Sequence, residues 1–279
     1  MKTASRMTGL LAMIALVLAA RSRAEEPEDE PQVETKKLND VIEGSIDWYD
    51  LYPDPSAKDP MRPQPVLRWR NVARGQEGEA MMVVWAHRGR PLAIASIYPW
   101  QGYLNHEFGS LSRSAQLLAR DNGNVAWSPK SPGVELRPVP DAPPPAETPA
   151  ARLRQLKSIA GRFKATMTGW KGDNSDREEL RLLPRPLYRY SVTDPQDGEP
   201  AVLDGALFAF VMGTDPETVM LLEAVGTQGS ATWQYAFVRA TSGGLEVRLE
   251  NEVAWRAEKF QGPRSPTDTT RTLARILPR

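Results

Sequence analysis

Glu79-Ala80-Met81-Met82-Val83-Val84-Trp85-Ala86 runs into His87-Arg88-Gly89-Arg90-Pro91, and Leu92-Ala93-Ile94-Ala95-Ser96-Ile97-Tyr98 follows. Two runs dense in β-branched and aromatic residues, flanking a short segment with Gly and Pro, predict an antiparallel hairpin. Residues 103–111 supply a third strand. Asn122-Gly123 marks a tight turn before a short strand at 125–128, because both residues tolerate positive φ. Upstream, Val41, Ile42, Ile46 and Tyr49 recur at helical spacing and predict a helix over 38–50. The Pro-rich stretch 52–65 ends it.

Downstream, residues 128–149 hold eight prolines, among them Pro143-Pro144-Pro145, which reads as a stiff, extended linker and a domain boundary. Leu153, Leu156, Ala160, Phe163 and Met167 then draw one apolar stripe, predicting a helix capped by Thr148, opened by Pro149 and closed by Gly169. Arg152, Arg154, Lys157, Arg162 and Lys164 lie off the stripe and read as a solvated face. Strands resume at 180–183, 187–192, 206–212, 219–225, 233–240 and 245–249. In the last, Leu245, Val247 and Leu249 alternate with Glu246, Arg248 and Glu250, so one face is buried and one is wet.

The two halves look alike. Pro63-Gln64-Pro65-Val66-Leu67-Arg68-Trp69 parallels Pro184-Arg185-Pro186-Leu187-Tyr188-Arg189-Tyr190. Each copy follows a predicted helix, precedes a hairpin led by Gly78 or Gly205, and leads to Ala126-Trp127 or Ala254-Trp255. The expected fold class is therefore α+β and β-rich: two tandem modules, each a helix packed on a curved antiparallel sheet, related by a pseudo-two-fold. The expected map is a signal peptide (1–24), a disordered acidic leader (25–37), a first module (38–128), the Pro-rich linker (129–149), a second module (150–257) and a basic C-terminal tail (258–279). The runs 180–190, 204–210 and 213–217, with Asn105-His106-Glu107-Phe108-Gly109-Ser110-Leu111, resemble a family of exported bacterial proteins with no assigned activity. That resemblance implies export and nothing about chemistry.

Export also reads from the N-terminus. Lys2 and Arg6 precede an apolar run from Leu10 to Ala20, and Ser22-Arg23-Ala24 offers small residues at a cleavage point after Ala24. The run is about half the ~20 residues needed to cross a bilayer, so the expectation is a secreted or periplasmic chain with no membrane span after cleavage. Without the signal, 31 basic residues face 35 acidic ones, and the acidic excess sits in residues 25–60. That is no nucleic-acid footprint. Residues 25–37, with prolines among carboxylates, read as a solvated spacer.

With 0 Cys and only His87 and His106, a structural zinc site and a cysteine nucleophile are excluded, and no cofactor is implied. There is no phosphate-cradling glycine loop and no G-x-S-x-G elbow. His106 and Glu107 are the candidate catalytic residues, yet adjacent strand residues point to opposite faces. His106 shares a face with Leu104 and Phe108, which favours a buried, hydrogen-bonded imidazole. Asp173, Asp176, Glu178 and Glu179 form an acidic cluster without the order of a calcium loop. The 8 Trp suit a core, or stacking on sugar rings. The reading is an exported binding or interaction protein with an extracytoplasmic protein or glycan partner. Its rivals are a cell-envelope hydrolase, using His106 or a carboxylate pair in a groove between the modules, and a structural domain. If a pocket exists, divergence between the copies points to the first half, at His87, Asn105, His106 and Glu107.

Overall fold

The computed structural model describes residues 30–71, 78–169, 176–195 and 200–277, with side chains from Thr35 onward. Helix α1 (Glu30–Gly44) runs into a single 3-10 turn, Ser45–Trp48, and the chain continues as strand β1 (Asp50–Tyr52). Four longer strands follow: β2 (Pro63–Trp69), β3 (Ala80–His87), β4 (Arg90–Trp100) and β5 (Tyr103–Ser110). Short strands β6 (Leu118–Asp121), β7 (Asn124–Trp127) and β8 (Arg137–Pro138) lead to helix α2 (Pro149–Ala160). Next come β9 (Phe163–Thr168), β10 (Arg177–Leu182), β11 (Tyr188–Val192), β12 (Val202–Met212) and β13 (Asp215–Val225). The chain closes with β14 (Thr232–Arg239), β15 (Gly244–Leu249), β16 (Glu252–Ala257) and β17 (Thr270–Ile276).

The strands form curled antiparallel sheets. One has the order β17-β5-β4-β3-β2, a small one the order β1-β6-β7, and a long one β16-β15-β9-β10-β12-β13-β14-β8, with β11 also on β12. The β3–β4 hairpin closes with His87 opposite Arg90. Its two turn residues, Arg88 and Gly89, have φ of 49° and 87°, the left-handed geometry whose twist matches that of the strands.

Alternation along β3 assigns its faces. Met82 and Val84 join Ile94, Leu207, Ala209, Val219 and Val238 in a core between the two large sheets. Met81, Val83 and Trp85 point the other way, onto a second core with Ile42, Leu51, Phe108 and Trp127. A third core packs Leu156 and Ile159 of α2, and β9, β15 and β16, against Phe208, Phe210, Leu222 and Phe237. Strands buried on both faces read as continuous apolar runs, which is the pattern of residues 80–86 and 206–211.

Several sequence expectations are corrected. The stripe from Leu153 to Met167 is not one helix. Thr148 accepts the N–H of Ala151 and Pro149 opens α2 as expected, but α2 ends at Ala160 with Gly161 as its C-cap. Phe163, Ala165 and Met167 then alternate with more exposed residues at period two, as a strand does. Arg152 is no solvated residue: it is 6% exposed and its Nε donates to Asp204 Oδ2 at 2.9 Å. Arg189 donates to the same carboxylate at 2.8 and 2.6 Å, fastening α2 over the sheet.

The expected linker is not a free spacer. Within it Val134 and Val139 are buried, and β8 pairs with β14, Tyr235 opposite Arg137. The expected tail forms β17, paired along β5 from Thr270 opposite Gly109 to Ile276 opposite Tyr103. In the expected disordered leader the chain is helical from Glu30, and residues 25–29 lie outside the described residues. No described helix is long and apolar enough to cross a membrane.

Candidate functional site

The face of β4 that starts in the core between the large sheets does not stay apolar. Ile94 is 1% exposed, Ser96 is 2% exposed, Tyr98 is half-buried and Trp100 is 46% exposed. The register extends this face sideways, with Ser96 opposite Glu107, Tyr98 opposite Asn105 and Trp100 opposite Tyr103 on β5. On β17, Thr272, Ala274 and Ile276 continue the same three rows. Where the apolar residues stop, the second half no longer packs flush, and a groove opens.

Its cavity holds about 470 Å³, within the usual span of small-molecule sites. Ser96, Tyr98 and Glu107 form one wall and Trp100 stands at the rim. Asp215, Glu217, Lys259 and the segment 240–243 face them across the cavity. That segment is held by buried Arg239, which donates to the carbonyls of Thr241 and Glu258 at 2.8 Å and to that of Gly243. Burial, then the charge of Arg264, holds Arg239 at a pKa of about 10. Lys259 lies across Gly169, whose φ of +78° and lack of Cβ leave room for the lysine stem.

Glu107 is the perturbed group of this site. Burial is the main cause and the negative charge of Asp215 adds to it, while a hydrogen bond with Tyr98 and the charge of Arg239 oppose; the carboxyl sits at about 7. Burial, then the charges of Glu107 and Asp215, push the Tyr98 phenol well up. The Ser96 hydroxyl is buried and makes no hydrogen bond. A buried hydroxyl without a partner costs about 1–3 kcal/mol, so a polar ligand reaching it recovers that loss.

His106 lies on the opposite face of β5. It is 1% exposed, and its Nε2 is 3.2 Å from both the carbonyl oxygen and the hydroxyl of Ser45. The rings of Trp48, Tyr49 and Phe108 surround it. Burial holds the imidazole at about 4, so it is neutral at pH 7. The structure therefore parts the two candidates: Glu107 lines the groove and His106 belongs to the core. Asn105 sits on the groove face, whereas His87 lines a different cavity. Asp173 lies outside the described residues, Asp176 accepts the N–H of Gly169 at 2.5 Å, and Glu178 and Glu179 are strand residues of β10. Among the described residues no three of His, Cys, Asp or Glu converge as metal ligands.

A smaller cavity, about 80 Å³, lies near Arg90. The same Arg90 reaches Glu223, which is fully buried and accepts from Arg90 Nε at 3.0 Å, from Arg113 and from the Tyr190 hydroxyl. Tyr190 reaches it by lying over Gly205, where a Cβ would come within 2.6 Å of the ring.

Sequence reasoning missed Ser96, Tyr98, Asp215 and Glu217. Asp215-Pro216-Glu217 reads as a turn, whereas the turn is the two residues Gly213-Thr214 and Asp215 begins β13. The signal present was a hydroxyl, a phenol and an indole at alternate positions of a strand that is otherwise apolar. No family model, curated protein or solved structure matches the chain.

Proposed function

We propose that this is an exported binding protein, with residues 1–24 as its signal peptide, that takes a small polar ligand into the groove walled by Glu107 and Asp215. The observation that carries the reading is the floor of that groove, where a buried hydroxyl without a partner lies beside a carboxyl poised near neutrality. Perturbed titratable groups in a concave site mark function more often than chance.

We read the groove as lying between two tandem modules that arose by duplication, and the strand registers support it. Ala80, His87, Arg90 and Trp100 occupy the places of Gly205, Met212, Asp215 and Val225 in their hairpins. Ala119 pairs with Trp127, and Val247 with Trp255, each just before a bulge. Strand β17, which follows the second half, completes the sheet of the first, and β8, which follows the first, completes that of the second. Such reciprocal exchange fits a pseudo-two-fold, in which each half makes the same contact to the other. By these registers Ala80, not Gly78, matches Gly205.

Met167 is 2% exposed but lines the groove, while Met81 and Met82 are buried in cores away from its lining, so methyl-labelled methionine gives an internal comparison. In NMR titrations with an oligosaccharide, a tripeptide and a linear polyamine, at least one probe shifts Met167 and leaves Met81 in place. A Met167 signal that no probe moves ends the reading.

A second reading, hydrolysis of a glycosidic bond, is favoured by the same carboxyl, because a general acid near pKa 7 beside a second carboxylate is the pair that reaction uses. It predicts turnover of an aryl glycoside that falls as pH rises through about 7 and that vanishes in Glu107→Gln.

A further inference from the structure

Trp100, Tyr103 and Ile276 are 46%, 46% and 75% exposed. Trp100 faces Tyr103 across the β4–β5 hairpin and Tyr103 faces Ile276 on β17, so the three project from one face of the sheet as a continuous row. That face is the one whose next two rows are Tyr98 with Asn105 and Ser96 with Glu107. Apolar platform, amide, phenol and carboxyl therefore follow one another over three rows, from open solvent to the buried floor.

We infer that the ligand is an uncharged oligosaccharide, with one ring in the groove and the next stacked on Trp100 and Tyr103. This rests on the binding reading above and names its ligand class. A pyranose ring carries axial C–H groups on a flat face and hydroxyls around its edge. The face suits an aromatic platform, and the edge hydroxyls suit carboxylates, which accept from several donors at once. Glu107, Asp215 and Glu217 supply such acceptors, with Glu217 1% exposed. The unpaired Ser96 hydroxyl at the floor awaits one further contact. An apolar ligand would leave the Ser96 hydroxyl without a partner, and a uronic acid would set its own carboxylate beside those of Asp215 and Glu217. A single ring could not occupy floor and platform together, because Trp100 stands at the rim of the cavity and Tyr103 is not part of its lining.

Tryptophan fluorescence and methionine-methyl NMR on the full mature chain test this with trimers of N-acetylglucosamine and of glucose, with oligogalacturonate and spermidine as charged controls. The expected result is saturable binding of a neutral trimer, shifting Met167 and the Trp100 signal together. Trp100→Ala weakens it tenfold or more, monosaccharide binds at least tenfold less tightly than trimer, and oligogalacturonate does not compete. Trp100 is exposed, so its replacement leaves the fold intact, checked by an unchanged far-UV spectrum. If spermidine or a tripeptide moves Met167 and neither trimer does, the saccharide assignment is wrong and the groove reading stands. If no probe moves Met167, both fail. Binding that Trp100→Ala leaves unchanged overturns the platform.

Discussion

Replacing Glu223 by Gln tests the polar cluster that ties the two large sheets together. The carboxylate is fully buried and takes Arg90, Arg113 and the Tyr190 hydroxyl. Those partners come from β4, from the segment after β5 and from β11, so one group on β13 joins both halves of the chain. Glutamine keeps the shape and one acceptor but removes the charge. Arg90, whose side chain is only 4% exposed, is then a buried cation with no counter-ion. Arg113, at 16%, can partly rehydrate. Breaking one side of a buried ion pair costs about 3–5 kcal/mol, and the relief at Arg113 places this variant near the lower end.

For a chain of this length that is a fall of roughly 6–12 °C in Tm. Urea unfolding followed by fluorescence and by circular dichroism reads it directly, and coincidence of the two probes shows whether the halves still unfold together. The triple variant Arg90→Met, Arg113→Met, Glu223→Leu should recover most of the loss, since apolar side chains of similar volume need no counter-charge. A loss below about 1 kcal/mol in Glu223→Gln, or a triple variant worse than the single, would refute this account of the cluster.

His106 titrates near 4 in the fold and near 6.5 unfolded, so the unfolded chain binds the proton first. Stability is full above about pH 6.5 and falls as pH drops towards 4, by up to ~3 kcal/mol; His106→Leu should flatten that limb in urea titrations at successive pH values. Glu107, raised to about 7 from 4.5, acts the other way. Its folded form holds a proton that the unfolded chain has lost, so stability declines as pH rises from about 4.5 through 7. Glu107→Gln should abolish that decline, and an unchanged slope would count against the burial of this carboxyl. A chain stopped after Ala257 loses β17 from the edge of β5 and the 2.7 Å bond from Trp127 Nε1 to the Asp268 carbonyl. Exposed strand edges associate, so gel filtration should show aggregation; a monomer with unchanged Tm would show that β17 adds little.

The sequence made the hairpins legible because both faces of β3, β4, β12 and β13 are buried, and long apolar runs broken by Gly turns have few other readings. It misled at residues 153–167 because Leu153, Leu156 and Ala160 obey helical spacing while Phe163 and Met167 obey strand spacing as well. Only Gly161, which caps α2, divides them. The Pro-rich segment reads as a linker and the C-terminal segment as a basic tail because local composition carries no trace of a partner strand far away. Arg137 pairs with Tyr235 and Leu273 with His106, and these contacts exist only once the sheets are formed. The candidate site was half visible for the same reason. Glu107 stood out beside His106, whereas Asp215 and Glu217 reach it from another part of the chain.

The proposed duplication explains why one side of the core opens and the other does not. Matching registers set Tyr98 against Glu223, and Asp215 against Arg90. Around Glu223, two guanidinium groups and a phenol come from the chain itself and take up the carboxylate. Around Tyr98 the place of Arg90 is taken by Asp215, which joins Glu107 and Glu217 on the groove wall. Burial, with the charge of Asp215 added, raises Glu107 there, beside a cavity of about 470 Å³. On the proposed duplication, one cleft is thus fastened by the ion-pair cluster at Glu223, and its counterpart beside Glu107 is left open to a ligand.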